Sequence, residues 1–243
     1  MNRDTLISII NGFAKDGKVF SNEQDFQFEL ALALKNEVEV DEVKLEAASF
    51  PRDSWNLNAI QDGRPFLADK TQREYTDLIV KTKDGLYYAI ELKFKGADKP
   101  YLYNSKAFGD VAVLRHGAAN INSYLFLKDI TRLEKINSRH FARDFKIAKG
   151  FAIMLTNNKT YRNSNFENSM WREFPINEKR TIGNNKTLSL HRNDKNYKKY
   201  KDLEIKGSYR FNWEDYDLEP DAMLNDKTPG FSFLVVEVDP KKD

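Results

Sequence analysis

Apolar residues recur at helical spacing from the start of the chain. Leu6, Ile7, Ile9, Ile10 and Phe13 predict a first helix that ends near Gly17. Ser21 with Gln24 has the capping-box pattern for a second helix, which runs to about Asn36 and buries Phe26, Leu30, Ala33 and Leu34. The period then shortens. Partial alternation between Glu37 and Ala47, through Val38, Val40, Val43 and Leu45, predicts a strand. Glu74–Lys81 and Leu86–Phe94 are rich in β-branched and aromatic residues and predict two more, joined by a tight turn at Lys83-Asp84-Gly85. From Ile121 to Asn137 the helical period returns. Tyr124, Leu127, Ile130, Leu133 and Ile136 mark its apolar side, and Lys128, Asp129, Arg132 and Glu134 decorate the other. Asp129 and Arg132, three residues apart, read as an ordinary helix ion pair. Phe151–Thr156 is a short apolar run of the buried-strand type. Ser208–Trp213 and Phe231–Val238 predict strands that extend or cover the same sheet.

The turn between the two central strands decides which side chains meet. If residues 83–85 form the loop, Thr82 faces Leu86, paired residue numbers sum to 168, and Asp77 lies opposite Glu91. Cross-strand partners have Cβ atoms about 4.5–5.5 Å apart. Lys93 points to the same face as Glu91, because side chains alternate along a strand. If the loop is only Asp84-Gly85, the register moves by one and Asp77 pairs with Leu92. In the first register two carboxylates and an ammonium share one patch. Like charges directly opposite are destabilising, and a divalent cation held by oxygen ligands would remove the conflict. The plainer alternative is a solvent-facing hairpin with surface charges. The apolar runs Leu78–Val80 and Tyr87–Ile90 argue against it, since they suit a strand buried on both faces.

Asp77 followed by Glu91-Leu92-Lys93 resembles the PD-(D/E)XK nuclease superfamily, the restriction-endonuclease-like fold. The motif's proline is replaced by Thr76. The order of helix, three strands, helix and strand over residues 21–156 is similar to that superfamily's core. The resemblance implies an α/β fold with a central mixed sheet flanked by helices, and a β-rich extension over residues 157–243. The whole chain, 1–243, then forms one nuclease-like domain. It implies Mg²⁺, replaceable by Mn²⁺, held by Asp77 and Glu91, with Lys93 as the catalytic cation. It also implies a fourth site residue, Glu29, holding the metal directly or through water, because many such nucleases carry an acidic residue on the helix before the sheet that points at the metal. The segments Gly150–Thr156, Ser208–Trp213 and Phe231–Val238 resemble an uncharacterised bacterial family of such proteins, which names no substrate.

Composition changes the picture in three places. The chain is 40% hydrophobic with no cysteine, which supports a core, removes disulfides and cysteine zinc sites, and suits a cytoplasmic location. No apolar run approaches about 18 residues, and the first residues lack a signal-peptide pattern, so no membrane partner is expected. Charge is uneven. Lys128–Arg210 holds 20 Lys and Arg against 9 Asp and Glu, while the rest holds 19 against 28. An acidic centre beside a basic half suits a metal site facing a polyanion.

Further contacts to substrate are sought in the long connection Ser49–Thr71, with Arg52, Trp55 and Arg64, and at Arg73. Tyr101, Tyr103, Lys106, Arg115 and His116 follow the central strand closely. Lys159, Tyr161, Arg162, Trp171 and Arg172 read as loop residues, and Lys195–Lys201 is a basic run interleaved with tyrosines. Surface loops are the plain alternative for all of these. The three histidines, His116, His140 and His191, form no zinc-ligand pair. No nucleophile elbow, P-loop or dinucleotide fingerprint is present. The expected activity is therefore a metal-dependent nuclease acting on DNA, with room for a homodimer. A non-catalytic nucleic-acid-binding or assembly module on the same fold is the alternative. A glycosidase with paired carboxylates is disfavoured by the adjacent Lys93.

Overall fold

Helix α1 (Arg3–Lys15) starts where Asn2 accepts from the Thr5 N–H, and it buries Leu6, Ile10, Phe13 and Ala14. Helix α2 (Glu23–Asn36) is capped by Asn22, not by the Ser21 that the sequence pattern suggested. Asn22 Oδ1 accepts from the Asp25 N–H, and Asp25 reaches back to the Ser21 N–H, both at 2.9 Å. The box is thus built one residue later. These coordinates come from a computed structural model, which describes residues 1–51, 73–141, 145–191, 199–224 and 227–241. The side chains of Phe50, Pro51 and His140 lie outside that description, as do Arg52, Trp55, Arg64 and Lys195–Lys198.

Strand β1 (Val40–Pro51) begins later than the alternation suggested, because residues 37–39 form the turn that leaves α2: Glu37 N–H donates to Leu34 O and Val40 N–H to Glu37 O. Strands β2 (Glu74–Thr82) and β3 (Tyr87–Lys95) form the central hairpin. Thr82 N–H donates to Leu86 O and Gly85 N–H to Thr82 O, both at 2.9 Å. The loop is the three-residue one, and Gly85 takes its left-handed position at φ 84°. The observed pairs Leu78↔Ile90, Ile79↔Ala89, Val80↔Tyr88 and Lys81↔Tyr87 follow that register.

A second hairpin, β4 (Tyr101–Ser105) with β5 (Gly109–Val113), occupies part of the stretch after β3 for which a surface loop was the plain alternative. Helix α3 (Ala119–Glu134) and the short β6 (Arg139–Phe141) lead into β7 (Ile147–Thr156), which lies parallel to β3. The remainder includes a short helix α4 (Thr160–Asn163) and two small ribbons. In these ribbons β8 (Thr181–Gly183) pairs with β11 (Ser208–Arg210), and β9 (Lys186–Leu188) pairs with β10 (Leu203–Ile205). Strands β12 (Trp213–Tyr216) and β13 (Phe231–Val238) complete the large sheet.

That sheet has seven strands in the order β12-β13-β7-β3-β2-β1-β6 and is mixed, with β3–β7 its parallel pair. The chain is therefore α/β with a central mixed sheet. One face, with Leu78, Val80, Ile90, Leu92, Ile153 and Phe233, buries α1 and α2. The other, with Ile79, Ala89, Ala152, Met154 and Leu234, buries α3 and the segments after residue 160. Tyr161 and Trp171 belong to this second core, at 1% exposure each, rather than to exposed loops.

Glu134, at the end of α3, is fully buried and fastens the extension to the helix. It accepts from the Lys206 N–H at 3.0 Å, from the Gly207 N–H, and from Tyr209 OH at 2.7 Å. Its place on the polar side of the helix pattern was misread: it is solvated by backbone donors from the extension instead of by water.

Candidate functional site

The β2–β3 ladder stops at Leu78↔Ile90. Continued, it would bring Thr76 opposite Leu92, with Leu92 N–H donating across to β2. Instead that N–H donates to Asp77 Oδ2 at 2.6 Å. Two residues on, Phe94 N–H donates to Glu23 Oε2 at 2.9 Å. Where the two strands part, carboxylates thus replace the lost backbone acceptors. The carbonyl of Leu92 is taken by Lys93 Nζ at 2.9 Å. The carbonyl of Asp77 accepts from Gln27 Nε2 at 2.8 Å, and Gln27 also bonds Glu46 at 2.9 Å. Helix α2 therefore closes the opening on one side, with Glu23 and Gln27 four residues apart on one stripe.

Helix α3 closes the other side. Asp129 Oδ2 lies 2.8 Å from Lys93 Nζ. Arg132 reaches both oxygens of Glu91, each at 3.3 Å, and Asp129 Oδ1 at 3.2 Å. Its guanidinium also donates to Tyr75 O and lies 3.6 Å from Glu74. Glu91 and Asp129 are only 3% and 5% exposed. Asp129 was misread as part of the solvated side of the helix. Phe126 and Leu133, three before and four after it and both fully buried, are the sequence signal that it faces inward.

Burial sets the electrostatics. It pushes the Asp77 carboxyl up to about 6, against the lowering effect of the Leu92 N–H and of Lys93, with Asp129 and Glu23 adding to the rise. Glu91 is pushed well above the usual carboxylate range, first by burial, then by Asp129; Arg132 opposes this, and Asp77 adds to it. For Lys93 burial works toward the neutral form, but Asp129, Glu23 and Asp77 outweigh it and hold the ammonium charged. Arg132 is likewise raised against its burial by Glu91, Asp129 and Glu74.

Asp77, Glu91 and Lys93 share the face of the sheet that carries Ile79 and Ala89, by strand alternation from the observed register. Glu29 does not join them. It forms an ion pair with Lys18, and the acidic residue that α2 presents to the strand ends is Glu23, six residues earlier. Tyr103 is also displaced from the candidate set: it is fully buried and bonds Pro229 O and Asn157, each at 2.7 Å. His116 Nδ1 accepts from the Gly96 N–H at 2.9 Å, and a Cβ on Gly96 would lie 2.0 Å from Leu114 O, so this pair holds the chain's exit from β3. Sequence reasoning missed Glu23, Gln27 and the inward role of Arg132, because each depends on how a helix is set against the sheet.

Among the described residues no three His, Cys, Asp or Glu side chains converge as a ready metal cluster. The donors at the opening are two carboxylates, Asp77 and Glu91, and the Leu92 carbonyl beside them. An all-oxygen set with only two carboxylates suits Mg²⁺, which keeps several waters and takes further oxygens from a phosphate. Among the described residues no helix is long and apolar enough to cross a membrane. No family model, curated protein or solved structure matches the chain.

Proposed function

We propose that the chain is a metal-dependent nuclease that hydrolyses phosphodiester bonds, with DNA as the expected polymer, on a restriction-endonuclease-like core. One observation carries this reading. Two carboxyls, the half-buried Asp77 and the buried Glu91, lie on one face beside Lys93 where two strands part, and both are pushed toward protonation. Such an arrangement costs stability unless a cation relieves it, and strongly perturbed acids in one place mark functional sites. Asp77 and Glu91 would hold Mg²⁺, with the Leu92 carbonyl as a third oxygen. The bound ion would supply a water of lowered pKa and offset charge on the phosphate.

The chain's own groups have distinct tasks. Asp77 gives up its proton near pH 6, so it is ionised at neutral pH. Lys93 stays charged and is held by Asp129 and Leu92 O. It therefore serves as a fixed positive charge toward a phosphate oxygen rather than as a base. Asp129 is a positioning residue for Lys93. Arg132 neutralises Glu91 while no cation does. Glu29, paired with Lys18, has no task here.

The test is Mg²⁺-dependent cleavage of mixed DNA and RNA by the wild type and by Asp77→Asn. Equal activity in both, at matched stability, removes the assignment. A second reading, a non-catalytic binding module, is favoured by the way Arg132 already answers Glu91 and Asp129 answers Lys93. It predicts no rise in melting temperature with Mg²⁺ or Mn²⁺, whereas the nuclease reading predicts a rise.

A further inference from the structure

Beside the site lies a cleft of about 440 Å³ between α3 and the segment that enters β10. We infer that this cleft is the track on which a nucleic-acid backbone lies as it enters the Asp77–Glu91 centre. The inference rests on the nuclease reading and names the surface that reading lacks. Lys128 comes from α3 and Lys135 from its C-cap, Lys199 and Lys201 come from the opposite wall, and Arg132 and Arg139 also line the cleft.

The two arginines are answered locally and the four lysines are not. The cleft holds the acidic residues Glu74 and Asp202. Glu74 is already shared by Arg132 and Arg139, at 3.6 and 3.3 Å. Among the described residues no carboxylate lies within ion-pair distance of the four lysines, all of which are exposed. Like charges facing one another across a cleft repel, and a polyanion is the partner that relieves them.

The cleft is also built rather than incidental. Tyr124 OH donates to Lys201 O at 3.0 Å and ties the second wall to α3. The Tyr200 ring stands edge-on to Tyr124 and Trp171, with centroids 5.2 and 5.1 Å apart. Lys128, Arg132 and Lys135 follow the i, i+4, i+7 spacing of one helix face. At about 1.5 Å per residue, Lys128 and Lys135 are about 10 Å apart along the axis. That length of duplex carries about six phosphate charges. The track leads to the site through Arg132, which lines the cleft and also touches Glu91. A phosphate at the inner end therefore meets the guanidinium that holds Glu91.

Binding is measured on full-length Asp77→Asn protein in EDTA, by anisotropy of a labelled 20-base-pair duplex across a salt series. This uncouples binding from cleavage. Four neutralised phosphates give a slope of log K against log salt near −3.6. Lys128→Ala with Lys135→Ala should reduce that slope by about half. Lys199→Ala with Lys201→Ala, on the other wall, should do the same. Lys15→Ala with Lys83→Ala, remote from the cleft, should leave it unchanged. Equal slope changes for the cleft and remote pairs overturn the inference, as does absence of binding at 50 mM salt. Equal affinity for a heparin fragment of matched charge overturns the assignment to nucleic acid. Cleavage by the wild type in Mg²⁺ is read separately. Binding through the cleft without cleavage removes the nuclease reading and leaves the cleft. Cleavage that is indifferent to both lysine pairs removes the cleft alone.

Discussion

Asp77 accepts a hydrogen bond from the Leu92 N–H at 2.6 Å, just past the last ladder pair, Leu78↔Ile90, whose register if continued would set Glu91 opposite it. The bond makes Asp77 part of the fold as well as of the site, and it fixes what an informative variant must keep. Asparagine retains an acceptor for Leu92 and removes the charge. Asp77→Asn is expected to fold, and to lose cleavage by at least about 100-fold, the scale on which removal of a single catalytic group is felt. A cleavage assay with circular dichroism as a folding control checks both.

The raised carboxyl gives a pH dependence with a definite sign. The folded value near 6 lies above the ordinary 3.8, so the stability Asp77 contributes is fully present below about 3.8 and is lost as pH rises through 6. Glu91 is raised in the same direction. The wild type without metal should therefore lose stability relative to Asp77→Asn between pH 4 and pH 7. The relative loss is about 1–2 kcal/mol, reduced from the full shift by the solvent Asp77 retains. Urea unfolding of both proteins at pH 4.5 and 7.5 measures it; an unchanged difference would falsify the assignment of strain to this carboxyl.

Stabilisation by Mg²⁺ should have the opposite pH dependence, because the cation competes with a proton for Asp77. The rise in melting temperature with 10 mM Mg²⁺ is expected to grow from pH 5 to pH 7.5 in the wild type. In Asp77→Asn it is expected to be small at both. A rise of the same size in the variant would place the metal elsewhere.

Lys93 and Asp129 are each other's main partner in a buried setting. Lys93→Met alone leaves Asp129 with one of its two cations and should destabilise by about 2–4 kcal/mol, while Lys93→Met with Asp129→Asn should recover at least about half of that. Denaturant midpoints of the four proteins in the cycle check this. A coupling within about 0.3 kcal/mol of zero would show that the two act independently.

Much of the hairpin is legible in the sequence because its information is local. Apolar runs on both sides of Asp84-Gly85 fix two strands but leave two registers open, and the structure, with its three-residue loop and left-handed Gly85, selects the one whose pairs sum to 168. The partners that helices bring are less legible. Glu29 and Glu23 lie on the same helix, and only the angle at which α2 meets β3 decides that Glu23 reaches Phe94 N–H while Glu29 turns to Lys18. Asp129 looked solvated because the apolar residues of α3 occupy more than half its circumference. Both faces of that helix are covered, one by the sheet and one by the extension, so a polar residue on it says little about exposure. Glu29→Ala should accordingly leave cleavage within about twofold of wild type, and Glu23→Ala should lower the melting temperature by several degrees through the orphaned Phe94 N–H. Thermal melts and initial rates on the two variants separate the roles.

Glu134 ties the end of α3 to donors that lie 72 to 75 residues further along the chain. A nascent polypeptide emerging from the ribosome has already produced the whole β2–β3 hairpin and α3 before Lys206 exists. Until then the carboxylate has none of its three donors, and the helix that presents Asp129 and Arg132 lacks its distal anchor. Completion of the proposed Asp77–Glu91 centre is thereby deferred to late synthesis, after the chain that anchors its helix has been made.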